Sequence, residues 1–283
     1  MAFDFIRRVP AARAMARGVR RGLRQLRPLP LPRYLADTPD TRGGTPLESY
    51  FPPTISTLAE AARSPETAAR VIAQLKKLTP TDDTRGQELF YLWAQGRFGA
   101  HWRYADITTT LSAAATLLHP RAYLEIGVRR GRSAAMVAAA APDCAIYGFD
   151  LWLAEYGGLL AQDANPGPDF VRQELAAAGH RGDVTLISGD SSRTVPAFLA
   201  ERPELYFDLI NIDGDHSVAG AAKDLANTLP RLKVGGVVVF DDISSAPWLA
   251  DVWRFYTHDD GRYRSWQFDE AGAGVAAAIR VGQ

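Results

Sequence analysis

Short apolar runs and helical repeats alternate along most of this chain. Apolar residues recur at helical spacing between successive runs, as in the Ala-rich segment from Ser133 and in the segment that follows Ser217. Strands that alternate with helices in this way form a parallel sheet with helices on its faces. The pattern predicts an α/β doubly wound, mostly parallel, seven-stranded sheet. Its strands are expected at 123–126, 145–149, 184–187, 207–212, 237–240, 265–268 and 274–279.

The segment before the first predicted strand has a different pattern. Residues 36–53 form a polar connector rich in Asp, Pro and Gly. Apolar residues at helical spacing then predict one helix within 58–75, a second around 89–93 and a third within 107–118. We therefore expect residues 36–104 to be a linker and helical cap, which precedes a main domain at 105–283.

The first 33 residues carry an unusual charge. Nine arginines and one aspartate give them +8, although the formal net charge of the whole chain is zero. Seven apolar residues recur at alternating intervals of four and three, which predicts an amphipathic helix in a basic arm over 1–35. Such a helix could contact an anionic membrane surface, dock onto a partner subunit or pack on its own domain. No continuous apolar core follows the arginines, so a secretory signal is not predicted.

Composition is typical of a globular protein, with 47% hydrophobic and 23% charged residues. The single cysteine, Cys144, rules out an internal disulfide and a cysteine-based zinc site, and we expect it to be a small buried filler. No apolar run approaches the roughly 20 residues that cross a bilayer. The sequence predicts a cytoplasmic protein without a nucleic-acid partner. Peripheral contact with the inner membrane face through residues 1–33 stays open.

The first predicted strand leads into a turn between Gly127 and Gly131, and the second strand ends at Asp150. Glycines let the backbone pass close to a ligand, and the N-terminus of the following helix offers free N–H groups to an anion. An acid at the tip of the second strand can accept hydrogen bonds from ribose hydroxyls. These features predict a nucleotide-type cofactor site. The alternative is that the two glycines form only a tight turn.

Acidic residues follow two later strands, Asp213 after 207–212 and the pair Asp241 and Asp242 after 237–240. If these strands are neighbours, their ends lie about 5 Å apart. Three carboxylates gathered there would raise one another's pKa unless a cation lay between them. Mg²⁺ suits a few carboxylates completed by water or substrate oxygens. We therefore predict a Mg²⁺ site, with helix caps as the alternative role for two of the three acids.

Two residues beside these acids are candidates for a general base. His216 has the ordinary pKa best suited to proton transfer near neutral pH. Its alternative role is that of a turn residue bonded to backbone. Asp215 is the competing base, or it orients Lys223 or water instead.

Five short motifs occur in a fixed order along the chain. They are Glu-Ile-Gly-x-x-x-Gly-x-Ser at 125–133, Gly-Phe-Asp at 148–150, Gly-Asp-Ser at 189–191, Ile-Asp-Gly-Asp-His-Ser at 212–217, and Lys-x-Gly-Gly with Phe-Asp-Asp at 233–242. This set resembles class I S-adenosylmethionine-dependent methyltransferases over about residues 105–280. More narrowly, it resembles the bacterial family related to macrocin O-methyltransferase and the cephalosporin hydroxylase-like proteins. Arg129 departs from the pattern, because many relatives have glycine there.

The resemblance implies a Rossmann-like methyltransferase fold and a set of residue roles. The methionine part of S-adenosylmethionine would be surrounded by Glu125, Gly127, Gly131 and Ser133. Asp150 would hold the ribose, and Asp190 with Ser191 the adenine. Mg²⁺ would be bound by Asp213, Asp241 and Asp242, and the base would be Asp215 or His216.

The expected activity is Mg²⁺-assisted methylation of a hydroxyl on a sugar or other small natural product. A vicinal diol could occupy two coordination positions of such an ion. One alternative is an oxidoreductase, either hydroxylase-like or NAD-dependent. Another is a membrane-associated scaffold that keeps the fold without turnover. Whether the chain forms a homo-oligomer stays open.

Overall fold

The computed structural model of this protein describes residues 54–153 and 166–282. The predicted basic arm and the polar connector up to residue 53 lie outside these ranges, as do residues 154–165. Among the described residues, none of the helices combines the length and apolar character that a membrane span requires.

Seven described strands form one sheet in the order β3-β2-β1-β4-β5-β7-β6. Their bounds are β1 Ala122–Ile126, β2 Ala145–Asp150, β3 Val184–Ser188, β4 Phe207–Ile212, β5 Leu232–Asp241, β6 Tyr263–Phe268 and β7 Val275–Arg280. The first five are parallel, whereas β7 runs antiparallel between β5 and β6. Strands β1 and β4 are buried along their whole length, as the apolar sequence of a central parallel strand requires. The predicted doubly wound sheet is confirmed.

Nine α-helices are described, and they cover both faces of the sheet. Their bounds are α1 Ile55–Ala62, α2 Pro65–Leu75, α3 Asp82–Phe98, α4 Ile107–Leu118, α5 Arg132–Ala140, α6 Pro168–Ala177, α7 Ser191–Ala200, α8 Val218–Thr228 and α9 Pro247–Trp253. The crossovers between parallel strands contain α5 to α8, so each parallel strand ends at the same edge of the sheet. Cys144 is buried beside β2, as predicted.

The helical segment before the sheet differs from the prediction in one respect. The helix predicted within 58–75 is two helices, because α1 ends at Ala62 and α2 begins at Pro65. Proline has no N–H to continue the first helix, while the hydroxyl of Ser64 accepts from the N–H of Thr67 and caps the second. Both helices pack against α4, which lies beside the sheet.

Strand β5 is longer than predicted. Residues 233–236, which precede the strand predicted at 237–240, lie inside the strand, where the pairing with β4 shifts between Phe207 and Leu209. Gly235 has a φ of 85°, and a Cβ at Gly236 would lie 2.9 Å from the carbonyl oxygen of Asp208. The two glycines therefore form an irregularity within a buried strand, since they allow a left-handed residue and a close approach to β4.

Candidate functional site

The turn after β1 and the loop after β4 lie directly against each other. The N–H of Asp213 donates to the carbonyl oxygen of Ile126 at 2.9 Å, which extends the pairing of β1 and β4. Gly127 has a φ of 84°, and a Cβ there would lie 1.8 Å from the carbonyl oxygen of Asp213. Only glycine satisfies both constraints. The predicted cofactor turn and the first predicted metal ligand therefore share one edge of the sheet.

Gly131 begins the helix that follows this turn. It is the N-cap of α5 with a φ of 78°, and no side chain caps the helix. The first N–H groups of α5 therefore have no side-chain acceptor from the cap residue, which is the arrangement that suits an anionic ligand group. This geometry fits the predicted position of Gly131 beside the cofactor.

Glu125 is fully buried at the base of the turn. Its Oε1 accepts hydrogen bonds from the hydroxyl of Ser133 and, at 3.0 Å, from the side-chain amide of Asn211. Its Oε2 is buried and accepts no hydrogen bond from the residues that the structure describes. Burial raises the pKa of Glu125 to about 8, although the bonds from Ser133 and Asn211 oppose the shift. Glu125 thus holds Ser133 in place from behind the turn.

Asp150, at the tip of β2, connects that strand to the turn after β1. Its carboxylate accepts from the backbone N–H of Arg129 at 2.7 Å and from that of Trp152 at 2.6 Å. Both donors have positive φ, 50° for Arg129 and 54° for Trp152. Such strained backbone is typical of functional sites. The guanidinium of Arg129 pairs in turn with Asp83 of α3 at 3.0 Å.

The predicted adenine residues follow β3. Asp190 caps α7 by accepting from the N–H of Ser192 at 2.8 Å. Hydrogen bonding from the hydroxyl of Ser192, and after it from this N–H, lowers the pKa of Asp190. The hydroxyl of Ser191 donates to Oδ1 of Asp224 at 2.8 Å. Asp224 is buried in α8, and burial raises its pKa to about 7. A Cβ at Gly214 would lie 2.9 Å from Oδ2 of Asp224. The carboxyl group of Asp224 therefore lies between Ser191 and the loop after β4.

Three side chains converge where β4 and β5 end. Ligand atoms of Asp213, His216 and Asp242 all lie within 4.8 Å of one another. Nε2 of His216 is 3.0 Å from a carboxylate oxygen of Asp242 and 3.7 Å from one of Asp213. Asp242 has a φ of 63° and accepts from the hydroxyl of Ser245 at 2.5 Å, which fixes its carboxylate.

The charges of this cluster influence one another. Burial is the main cause that raises the pKa of Asp213, and the negative charge of Asp242 adds to it, whereas His216 opposes it. The carboxylate of Asp213, and after it that of Asp242, raises the pKa of His216. The donor chemistry fits a divalent cation, because carboxylates suit Mg²⁺ and an imidazole suits transition metals.

Asp241 does not belong to this three-residue group. It is the last residue of β5, and burial raises its pKa well above the usual range, with Asp213 and Asp242 as the next causes. Its charge also contributes, after burial and Asp106, to a raised pKa of Tyr104. The structure thus brings together two of the three predicted metal residues and adds His216, which the sequence suggested as a base.

Helix capping by the acids and backbone bonding by His216 were the alternative roles of these residues. Helices α8 and α9 have Ser217 and Ala246 as their N-caps, so none of the three predicted metal residues caps them. The imidazole of His216 contacts carboxylates, while its backbone carbonyl accepts from the indole of Trp248 at 2.7 Å.

The other candidate base, Asp215, has structural contacts of its own. Its carboxylate accepts from the N–H of Ser217 at 2.8 Å and from the hydroxyl of Ser217 at 2.9 Å. A Cβ at Gly220 would lie 2.1 Å from Oδ2 of Asp215. Asp215 therefore packs on the first turn of α8 and stabilises the loop that carries His216.

Sequence reasoning did not identify three residues that support the site: Asp83, Asn211 and Asp224. The spacing of apolar residues could have indicated Asp224, since this residue follows Ala221 by three positions and precedes Leu225 on the apolar face of α8. An acid on such a face is either paired or functional. Asn211 and Asp83 had no local signal, because their partners lie far away in the sequence.

Part of the chain matches a known protein family. Residues 124–243 match a protein family described as a methyltransferase domain. No curated protein matches the chain.

Solved structures that resemble the chain include three methyltransferases. TomG, an O-methyltransferase from Streptomyces achromogenes, has a TM-score of 0.49 and 18% identity over 77% of this chain and 90% of its own. CalS11, a calicheamicin methyltransferase, has a TM-score of 0.48 and 22% identity over 77% and 92%. An O-methyltransferase from Bacillus cereus has a TM-score of 0.48 and 19% identity over 76% and 100%.

The family match covers the strands and loops that form the site, from Leu124 in β1 to Ile243 just after β5. Within that span lie the glycine turn, the acid at the tip of β2 and the cluster after β4 and β5. The seven-stranded mixed sheet with helices on both faces is the Rossmann-like methyltransferase fold that the resemblance implied. Residues 124–243 are therefore similar to methyltransferase domains, in agreement with the resemblance seen in the sequence.

Proposed function

We propose that this enzyme transfers the methyl group of S-adenosylmethionine to a hydroxyl of a sugar or other small natural product, with the help of a divalent cation. The observation that carries the proposal is the convergence of Asp213, His216 and Asp242 beside the cofactor turn. A methyl donor and a hydroxyl held near this cluster would lie in one cleft. Methyl transfer then requires mainly alignment and a deprotonated oxygen.

The cofactor residues divide into those that contact it and those that position the contacts. We assign the methionine part to the open N-terminus of α5 and to Ser133, which Glu125 holds. The ribose hydroxyls would donate to the carboxylate of Asp150, whose backbone donors leave other lone pairs available. Asp190 and Ser191 would contact the adenine, and Asp224 would fix the hydroxyl of Ser191.

Asp213 and Asp242 are the proposed ligands of Mg²⁺. Asp241, the third acid predicted from the sequence, lies outside their three-residue group. A bound divalent ion would lower the pKa of the acceptor hydroxyl, as such ions lower that of water from about 15.7 to about 7 in the best case. His216 would accept the hydroxyl proton at Nε2. If Nε2 instead completes the ligand set, a transition metal such as Mn²⁺ is favoured over Mg²⁺.

Apolar side chains at the same edge of the sheet suit a ring-bearing acceptor. Trp248 is half exposed, and its indole is fixed by the carbonyl of His216. Leu151, Leu153 and Val218 are exposed to a similar extent on the loops and helix that follow β2 and β4. We propose that they contact the apolar face of a sugar or aromatic acceptor.

The test is methyl transfer from labelled S-adenosylmethionine to a panel of sugars, nucleotide sugars and catechols, with and without a chelator. We expect transfer to at least one diol-bearing acceptor, loss of transfer with the chelator and recovery with Mg²⁺ or Mn²⁺. Asp213→Asn and Asp242→Asn should lose activity while still binding the cofactor, whereas Asp251→Asn, on the surface of α9, should not change it. Full activity with the chelator would remove the cation from the proposal.

His216→Gln separates the two roles of the imidazole. If His216 is the base, the variant binds the cation normally but loses the activity that depends on deprotonation near neutral pH. If it is a ligand, cation affinity falls and the preference for Mn²⁺ over Mg²⁺ weakens. Unchanged activity and unchanged cation affinity would show that neither role is correct.

A further inference from the structure

Helix α3 presents an apolar surface on the side that faces away from its own domain. Its inner side is buried, at Thr84, Tyr91 and Ala94. On the opposite side the exposed fractions are 67% for Leu89 and 61% for Trp93, with Leu92 also exposed. With 3.6 residues per turn, Leu89 lies half a turn from the centre of the buried side. The helix therefore has one apolar side that is buried and a second that is open.

Two glycines lie on this open side, Gly86 three residues before Leu89 and Gly96 three residues after Trp93. A Cβ added to either glycine would meet no atom within 4 Å, and neither glycine has a positive φ. Their own domain therefore does not require glycine at these positions. Glycine is among the least favourable residues in a helix interior, so another cause is needed. A second helix that packs closely supplies one, because glycines leave room for its large side chains.

We propose that this outer stripe, formed by Gly86, Leu89, Leu92, Trp93 and Gly96, is the docking surface for a second copy of this chain. The two α3 helices would lie antiparallel about a two-fold axis, and each contact would occur twice. This inference does not depend on the acceptor or the cation proposed above.

Charge and shape select the same register for this pairing. The midpoint of positions 82 and 97 falls between residues 89 and 90, and so does the midpoint of positions 86 and 93. One antiparallel register therefore places Asp82, in the first turn, opposite Arg97 of the partner subunit. The same register places Gly86 opposite Trp93 of the partner subunit. Asp82 and Arg97 are both exposed, and the antiparallel arrangement also aligns the two helix dipoles favourably. This self-complementarity favours a second copy over an unrelated protein.

The first experiment measures the mass of the full-length protein by sedimentation velocity over a wide range of concentrations. We expect a dimer. Trp93→Glu should raise its dissociation constant by about 30-fold or more, which is the usual effect of losing an aromatic residue at the centre of an interface. Val218→Glu is the control, because it places the same charge on an apolar residue that is 49% exposed elsewhere. A monomeric wild type, or a dimer that Trp93→Glu does not affect, would overturn the proposal.

A charge exchange tests the register without relying on the loss of an apolar residue. Asp82→Arg and Arg97→Asp should each weaken the dimer, because each places like charges opposite one another. The double variant should restore the dissociation constant to near the wild-type value. A double variant as weak as the single ones would overturn the antiparallel arrangement. Circular dichroism of each variant would show whether α3 and the rest of the chain remain folded.

Discussion

The two halves of the candidate site stabilise their carboxylates differently. On the cofactor side, Asp150 accepts two backbone N–H groups, so its charge is compensated by the fold itself. On the other side, Asp213 and Asp242 face each other and His216, and burial raises the pKa of Asp213. The carboxylate of Asp150 thus has partners within the fold, whereas the proposed cation would compensate the charges of Asp213 and Asp242. The proposed cofactor site and the proposed cation site therefore lie side by side but differ in how their charges are compensated.

The largest expected effect comes from the residue that joins the two halves. Gly127→Ala would place a Cβ against the carbonyl oxygen of Asp213 in a left-handed backbone conformation. We expect a loss of about 5 kcal/mol in the free energy of unfolding and no measurable cofactor binding. Urea unfolding and calorimetry with S-adenosylmethionine would measure both quantities. Gly261→Ala is the matched control, because a Cβ there meets nothing within 4 Å. Similar stability of the two variants would contradict the proposed close approach.

A pH-dependent effect is expected on the cofactor side, at Asp224. Its pKa of about 7 in the folded chain exceeds the ordinary value of 3.8, so between these pH values the folded state binds more protons than the unfolded state. Stability therefore falls as pH rises through this interval, by about 4 kcal/mol from this group. Asp224→Asn should remove that part of the slope. Urea unfolding at several pH values would measure it, and an unchanged slope in the variant would show that Asp224 does not titrate in this interval.

A smaller effect is expected from cation binding on the acceptor side. Mg²⁺ or Mn²⁺ at about 100 times its dissociation constant should stabilise the wild-type protein by about 2.7 kcal/mol. Asp242→Asn should lose most of this gain, whereas Asp190→Asn, on the cofactor side, should keep it. Thermal unfolding with and without the ion would measure the difference. Equal stabilisation of both variants would place the ion elsewhere.

The smallest effect concerns Arg129, which departs from the glycine-rich motif that the sequence resembles. Its ion pair with Asp83 links α3 to the cofactor turn, but both side chains are partly exposed, so the pair should contribute less than about 1 kcal/mol. Arg129→Gly and Asp83→Ala should each weaken cofactor binding by only a few fold, and the double variant should lose no more than either. Calorimetry with S-adenosylmethionine would measure this coupling. Additive losses would show that the two residues act independently.

Much of the sheet and its strand tips was predictable because the relevant signals are local. An apolar run followed by an acid located Asp150, Asp213 and Asp242, and strand order then placed them at one edge. The split between α1 and α2 was also signalled locally, by Ser64 and Pro65, but the apolar spacing across 58–75 concealed it. The irregularity at Gly235 and Gly236 was not predictable, because the same glycines also suit a turn between elements.

The arrangement of side chains within the site was harder to predict than its position. Sequence adjacency grouped Asp241 with Asp242, but β5 ends at Asp241 and the backbone of Asp242 is left-handed, and the structure groups Asp242 with His216 instead. The contacts of Glu125 with Asn211 and of Ser191 with Asp224 join residues far apart in the chain. Such pairs depend on tertiary packing, which no local pattern encodes.

Cys144 has a practical consequence. Burial raises the pKa of this thiol to about 12, and its side chain is 2% exposed, so it should react very slowly with maleimides and other labelling reagents. The natural chain should therefore take up almost none of a thiol-reactive label. One cysteine introduced on α3 or on the loop after β2 would carry a fluorophore or spin label at a single known position, and its signal would report on that position alone.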